Sequence, residues 1–388
     1  MKKNKLWLFA ALFAAVVLVF AACGNNDEPE VDESPSPTIP DEPTPDLGDV
    51  VDIIDGIEVN VFLIAHSPAP YSTLDDGSFN QGAMDGIQRF VAAHGGTYDF
   101  MQPHEASDEA RLNVIEMAVE AGANVIVLPG FHFETSLYEA QDIFPDVKFV
   151  LLDASPVNPE TEEVRVAANV AAIHYAEEQS GFLAGYAAVM EGYRELGFLG
   201  GIAVPAVVRF GHGFIQGAEF AAAALELDAG EVTIDFRYLG GFGATPEHQA
   251  TAGAMFAAGT EVIFVAAGGA GASVMAAAEA AGTSVIGVDV DQYWQSETIV
   301  TSALKELATS VYDMLAGFSS GQFDGGRELR YDATNNGVGL AMSTARLQNF
   351  TQAQHDTILA QLTSGAVSVD ASLELADIIT VLVTVNAQ

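Results

Sequence analysis

From residue 59 onward, short runs rich in Val, Ile and Phe alternate with Ala- and Gly-rich stretches of helical spacing, which restricts the chain to an α/β fold. The runs VNVFLIA (59–65), TYDFM (97–101), NVIVL (124–128), VKFVLLD (147–153), RVAANVA (165–171), LGFLGGIA (196–203), VTIDFRYL (232–239), EVIFVAA (261–267) and SVIGVDV (284–290) read as strands. Helices between successive strands imply parallel pairing, with both faces of each sheet covered. Nine such strands suit two sheets better than one. In parallel sheets the loops directly after the strands supply ligand groups, so these loops carry the functional reading.

The chain opens with Lys2, Lys3 and Lys5, continues with the apolar run LWLFAALFAAVVLVF and reaches Ala21-Ala22-Cys23. This pattern predicts a secretory signal over residues 1–22 and a lipid anchor on Cys23. Cys23 is the single cysteine, which excludes an internal disulfide and a thiolate metal cluster. Residues 23–55, with DEPEVDESPSPTIPDEPTPD, are too acidic and Pro-rich to bury a core and read as an extended tether. The bulk of the chain is therefore expected at the outer face of a membrane. Its formal net charge of −39 opposes a polyanionic partner, so nucleic acid is excluded.

After the first strand, Asp75, Asp76 and Ser78 can cap a helix that begins with Phe79 and Asn80, setting an aromatic ring and an amide at a helix N-terminus. The third and sixth strands are followed by PGFHFETS and VPAVVRFGHGFIQGAEF, each with an aromatic beside glycine. AAGGAGAS after the eighth strand lets a ligand approach the backbone, although it lacks dinucleotide-binding spacing. GVDVDQ sets Asp289 and Asp291 at a sheet edge, and TSALKELA adds Lys305. An acid paired with a lysine can hold sugar hydroxyls through charge-assisted hydrogen bonds.

The blocks SFNQGAMDGI, FPDVKFVLLDA, NVAAIHYAEEQSGFLAGYAA, GFLGGIAVPAVVRFGHGFIQGAEFA, VIFVAAGGAG, VIGVDVDQ and TSALK, collinear from about residue 58 to residue 320, resemble the basic membrane protein family of nucleoside-binding lipoproteins. Members of that family are substrate-binding subunits of ABC importers. The resemblance implies a periplasmic-binding-protein type I fold, two doubly wound parallel-sheet lobes joined by three crossovers around a ligand cleft. It implies a first lobe of residues 56–172 plus about 295–325 and a second of 173–294 plus about 326–388. It also implies a nucleoside ligand, preferably a purine, a permease partner, and neither enzymatic activity nor a cofactor. Carried across residue by residue, it makes Phe79 and Phe210 the plates of a base sandwich, with Asn80 beside them. Asp289 becomes the ribose-hydroxyl acceptor and Lys305 its cationic companion, while Gly268 and Gly269 lie against the ligand. Where relatives carry acids, this chain has Ser67 or Pro70, and Thr135. Ser67, Thr135, His212 and Asp291 are further candidates for lining the cleft.

His66, His104 and His132 follow strands that end on one sheet edge, but without HxH or HExxH spacing they read as cleft-lining or packing residues, not metal ligands. A nucleoside hydrolase using Asp289 and Asp291 is the enzymatic alternative, and a sensory lipoprotein or a receptor for another small solute are the alternatives among binding proteins. Product formation separates the first from capture, and neighbouring genes for an ATPase and permeases separate import from sensing.

Overall fold

The computed structural model describes residues 56–69 and 72–388. The signal segment, Cys23, the tether and Pro70 lie outside the described residues. One sheet holds six strands, β1 (Asn60–Ile64), β2 (Thr97–Met101), β3 (Val125–Pro129), β4 (Lys148–Leu152), β5 (Val170–Tyr175) and β11 (Arg327–Tyr331), in the order β11-β5-β4-β3-β1-β2. A second holds seven, β6 (Glu195–Gly200), β7 (Val232–Tyr238), β8 (Val262–Ala266), β9 (Ser284–Asp289), β10 (Ile299–Lys305), β12 (Val338–Leu340) and β13 (Val383–Ala387), in the order β12-β10-β9-β8-β6-β7-β13. Pairing within these sheets is parallel apart from β10 with β12.

The central strands β3 (VIVLP) and β8 (VIFVA) are buried at every residue, as expected where helices cover both faces. Helices α1 (Phe79–His94), α2 (Asp108–Glu120), α3 (Glu134–Ile143) and α8 (Leu307–Ser319) accompany the first sheet, α8 lying against α1. Helices α4 (Glu177–Glu191), α5 (Pro205–Ala224), α6 (Pro246–Ala257), α7 (Gly271–Ala281) and α9 (Gln352–Thr363) accompany the second.

The chain crosses between sheets after β5, β10 and β11. The crossings are tied together by backbone bonds, Ala176 N–H to Tyr331 O at 2.9 Å and Glu306 N–H to Gly337 O at 3.0 Å. They correct the lobe boundaries expected from sequence. Residues 299–305 belong to the second sheet, because β10 pairs with β9 before the chain crosses, and 327–331 belong to the first, because β11 pairs with β5. The first lobe likewise continues past residue 172 to the end of β5. That strand begins later than the run RVAANVA implied: the Asn169 amide donates to the carbonyls of Gln141, Phe144 and Val147, pinning the approach to β5 as a turn.

Candidate functional site

Between the strand ends of the two sheets lies a cavity of about 490 Å³, within the range of small-molecule sites. Phe79, Asn80, Phe210, Gly268, Gly269, Asp289 and Lys305 all line it. They arrive from both lobes, Phe79 and Asn80 on the first turn of α1 and Phe210 on α5, with Asp289 and Lys305 at the ends of β9 and β10.

The Lys305 ammonium lies 5.0 Å from the Phe79 ring centroid, 5.3 Å from that of Phe210 and 5.2 Å from that of Tyr175, within cation–π range of each. It donates to Asp153 Oδ2 at 2.5 Å and sits 3.2 Å from Glu177 Oε1. Its side chain is 2% exposed, so it needs these partners to remain charged. Burial alone would lower its pKa, but Asp153, Glu177 and Asp289 hold it above the ordinary lysine value. Glu177 is shared with Arg209, 3.4 Å away.

Asp153 and Asp289 occupy corresponding places at the C-terminal tips of β4 and β9, with φ of +62° and +67°. Aspartate tolerates this left-handed conformation better than most residues, and here it accompanies two carboxyls at the cleft. Ser78 Oγ donates to Asp289 Oδ2 at 2.5 Å across the lobes, and Asp153 Oδ1 is buried with no hydrogen-bond partner among the described residues. Burial raises the pKa of both acids above the usual carboxylate range, against the opposing pull of Lys305. An unpartnered buried acceptor beside a lysine and two aromatic rings suits a polyhydroxylated ligand with a flat ring. The surplus of carboxylates over cations disfavours a phosphate.

Asp76, and not Ser78, caps α1: its carboxylate accepts from the backbone N–H groups of Ser78 at 2.9 Å, Asn80 at 3.0 Å and Gln81 at 3.1 Å. Ser78 is thereby released to reach Asp289. Burial pushes the Asp76 pKa up to about 6 against these three donors. Asn80 spends its amide nitrogen on Ser72 Oγ and Thr73 O, so it shapes the wall through the loop. Gly77, at φ +62°, presents its carbonyl to the amides of Gln292 at 2.8 Å and Gln295 at 2.6 Å, so the lobes touch at the rim.

Four other candidates fall outside the cavity. His212 points to the C-terminal segment, its Nδ1 2.8 Å from Ser372 O, because α5 turns that face away from the cleft. Asp291 accepts from Thr344 Oγ1 at 2.5 Å. Ser67 bonds the Nδ1 of His66 at 2.8 Å, and Thr135 lies on the first turn of α3 away from the lining. Of the three histidines, His66 and His132 line the cavity and stack on each other, whereas His104 is exposed.

Sequence reasoning overlooked Asp153, Glu177, Phe242, Trp294 and Gln295. Asp153 was open to the rule that found Asp289, an acid ending a β-branched run. Glu177 depends on a crossover that periodicity does not show.

A profile for the PnrA-like ABC transporter substrate-binding proteins, the Bmp family, matches residues 69–372. Basic membrane protein A2 of Borrelia garinii subsp. bavariensis is 30% identical over 275 residues, 69% of this chain and 76% of the relative. The chain belongs to the Bmp family. Another relative, the ABC transporter nucleoside-binding protein BmpA of Lactococcus lactis subsp. cremoris, is 28% identical over 295 residues, 70% of this chain and 79% of BmpA. In fold, this Bmp chain is similar to an ABC transporter system solute-binding protein from Aeropyrum pernix K1, with a TM-score of 0.64, 23% identity and coverage of 80% of this chain and 87% of that one. One from Conexibacter woesei DSM 14684 gives 0.63 and 22%, covering 81% and 99%. The fold is of the periplasmic-binding-protein type I kind. No helix among the described residues is long and apolar enough to cross a membrane.

Proposed function

We propose that this Bmp chain is an extracytoplasmic receptor, lipid-anchored through Cys23, that captures a nucleoside between its lobes and delivers it to an ABC permease. The observation that carries the reading is the set of Phe79, Phe210 and Lys305 around one interlobe cavity, with Asp153, Glu177 and Asp289 about the lysine. The base stacks between Phe79 and Phe210. Ribose hydroxyls donate to Asp289 and to the unpartnered oxygen of Asp153, and Lys305 donates to a sugar oxygen. Gly268 and Gly269 leave room for the ligand against the backbone. A purine, with its larger stacking face, is the favoured base. The name of the Lactococcus relative supports a nucleoside ligand.

Capture without turnover is the consistent reading. Asp291 is engaged by Thr344 outside the cavity, so it offers no second carboxylate to Asp289 for hydrolysis. The test is a thermal-shift panel of nucleosides, free bases and sugars on the purified full chain. A ligand at about 100 times its Kd adds about 2.7 kcal/mol of stability and visibly raises the melting temperature. Nucleosides alone are expected to do so, with Phe210→Ala markedly reducing the shift. Stabilisation by free sugars but no nucleoside would overturn the reading.

A further inference from the structure

At another part of the cavity wall is a cluster that the nucleoside reading leaves unused. Gly130 sits against the Phe79 ring, a Cβ built on it falling 3.9 Å from Phe79 Cε1, and the cavity lining continues through Phe131 to His132 and His66. The two imidazoles stack with centroids 4.1 Å apart and planes 6° from parallel, and Phe131 packs on His132 at 3.9 Å. Arg111, its side chain 7% exposed, donates from Nε to the His66 carbonyl at 2.9 Å and pairs with Asp108 at 2.8 Å.

This arrangement differs from the carboxylates around Lys305 in holding one balanced charge pair, Arg111 with Asp108. The guanidinium still opposes a proton on either ring. Both rings are consequently neutral at pH 7. His66 is lowered to about 3 by burial, then by His132 and Arg111, and His132 to about 4 by burial and then Arg111, against Asp108. A neutral imidazole carries one N–H donor and one acceptor nitrogen, and the tautomer decides which of them faces a ligand. Ser67 Oγ, 2.8 Å from His66 Nδ1, can donate there and so place the His66 proton on Nε2.

Resting on the nucleoside reading, we infer that His66 and His132 form a neutral donor surface for the outer edge of the stacked base. They select bases with a ring carbonyl on that edge, 6-oxopurines and pyrimidinediones, over the amino counterparts. A carbonyl oxygen accepts from an imidazole N–H. An exocyclic amino group meets a donor and leaves it unpaired in a partly buried site.

Two matched ligand pairs change the donor and acceptor pattern of that edge, inosine against adenosine and uridine against cytidine, titrated by calorimetry into the full chain at pH 7.5. The wild type is expected to prefer the oxo member of each pair by roughly five- to tenfold, the contribution of one neutral hydrogen bond. His132→Phe retains the stacking and removes the donor, and His66→Phe does the same for the partner ring. At least one of them is expected to bring the ratio toward unity while affinity for the amino member changes little. A purely structural role would weaken all four ligands alike and leave the ratio intact. Equal or tighter binding of the amino members by the wild type, or an unchanged ratio in both variants, overturns the inference with nucleoside binding preserved. Binding of none of the four overturns the nucleoside reading and the inference together. If one variant fails to fold, the wild-type ratio and the other variant still decide.

Discussion

Lys305 sets the character of the cleft at the scale of single residues, because one buried ammonium neutralises carboxyls from both lobes. Lys305→Met leaves them uncompensated, and a loss of about 3 to 5 kcal/mol is expected in urea unfolding, the cost of breaking a buried ion pair. A loss under about 1 kcal/mol would mean that the acids are solvated. Removing a stacking plate acts differently. Phe210→Ala is expected to weaken a bound nucleoside by roughly ten- to a hundredfold, as base stacking contributes about 1 to 3 kcal/mol. The acids also dictate the pH response. Asp76, pushed up to about 6, holds its proton in the folded chain over a range where the unfolded chain has released it. Its contribution is complete below about pH 4, the unfolded value, and is lost as pH rises through about 6. Asp153 and Asp289 are raised and act with the same sign. His66 and His132, lowered by burial, act with the opposite sign over the same range, so the Asp76 contribution is read as a difference: relative to Asp76→Asn, the wild type should lose melting temperature as pH rises from about 4 to 6. A difference that grows across this interval would contradict the burial of Asp76.

Among elements, the α4–α5 pair fixes the distance between the acids and the aromatic wall. Gly181 and Gly185 on α4 meet Gly213 and Gly217 on α5 so closely that a Cβ at Gly181 would fall 2.1 Å from Phe210 O, and one at Gly213 2.1 Å from Glu178 O. The same helices carry Glu177 and Phe210. Gly213→Ala drives a methyl into backbone, which cannot yield as a side-chain tip does. Destabilisation of about 1 to 3 kcal/mol is expected in denaturant unfolding, together with weaker ligand binding as the helices part. No change in either would show that the helices are less closely seated. This contact was present in the sequence as glycines four apart, but spacing alone does not say which faces meet. The strand ends were far more legible: a β-branched run closed by Asp, Gly or Lys locates Asp289, Gly268 and Lys305 before any coordinates are known. His212 shows the limit of that reading. It lies two residues from Phe210, and on a helix of 3.6 residues per turn that step points it to another face, toward Ser372.

For the whole molecule, the two-sheet α/β architecture followed from alternation and buried strand runs, because both are local properties of the chain. The exchange of β10 and β11 between sheets was not legible, since it depends on pairing across long sequence separations. Acidity acts at this scale too. A net charge of −39 means that raising NaCl from 0.1 to 1 M, which shortens the screening length from about 10 to 3 Å, should raise the melting temperature. A drop would show that attractive ion pairs outweigh the repulsion. The central claim is that this cleft accepts an uncharged nucleoside among carboxylates gathered around one lysine. Calorimetric titration of the full chain with inosine and with inosine 5′-monophosphate tests it most directly. Saturable one-to-one binding of the nucleoside, with the monophosphate at least a hundredfold weaker, is the predicted result. Equal binding of the monophosphate, or no binding of the nucleoside, would contradict it.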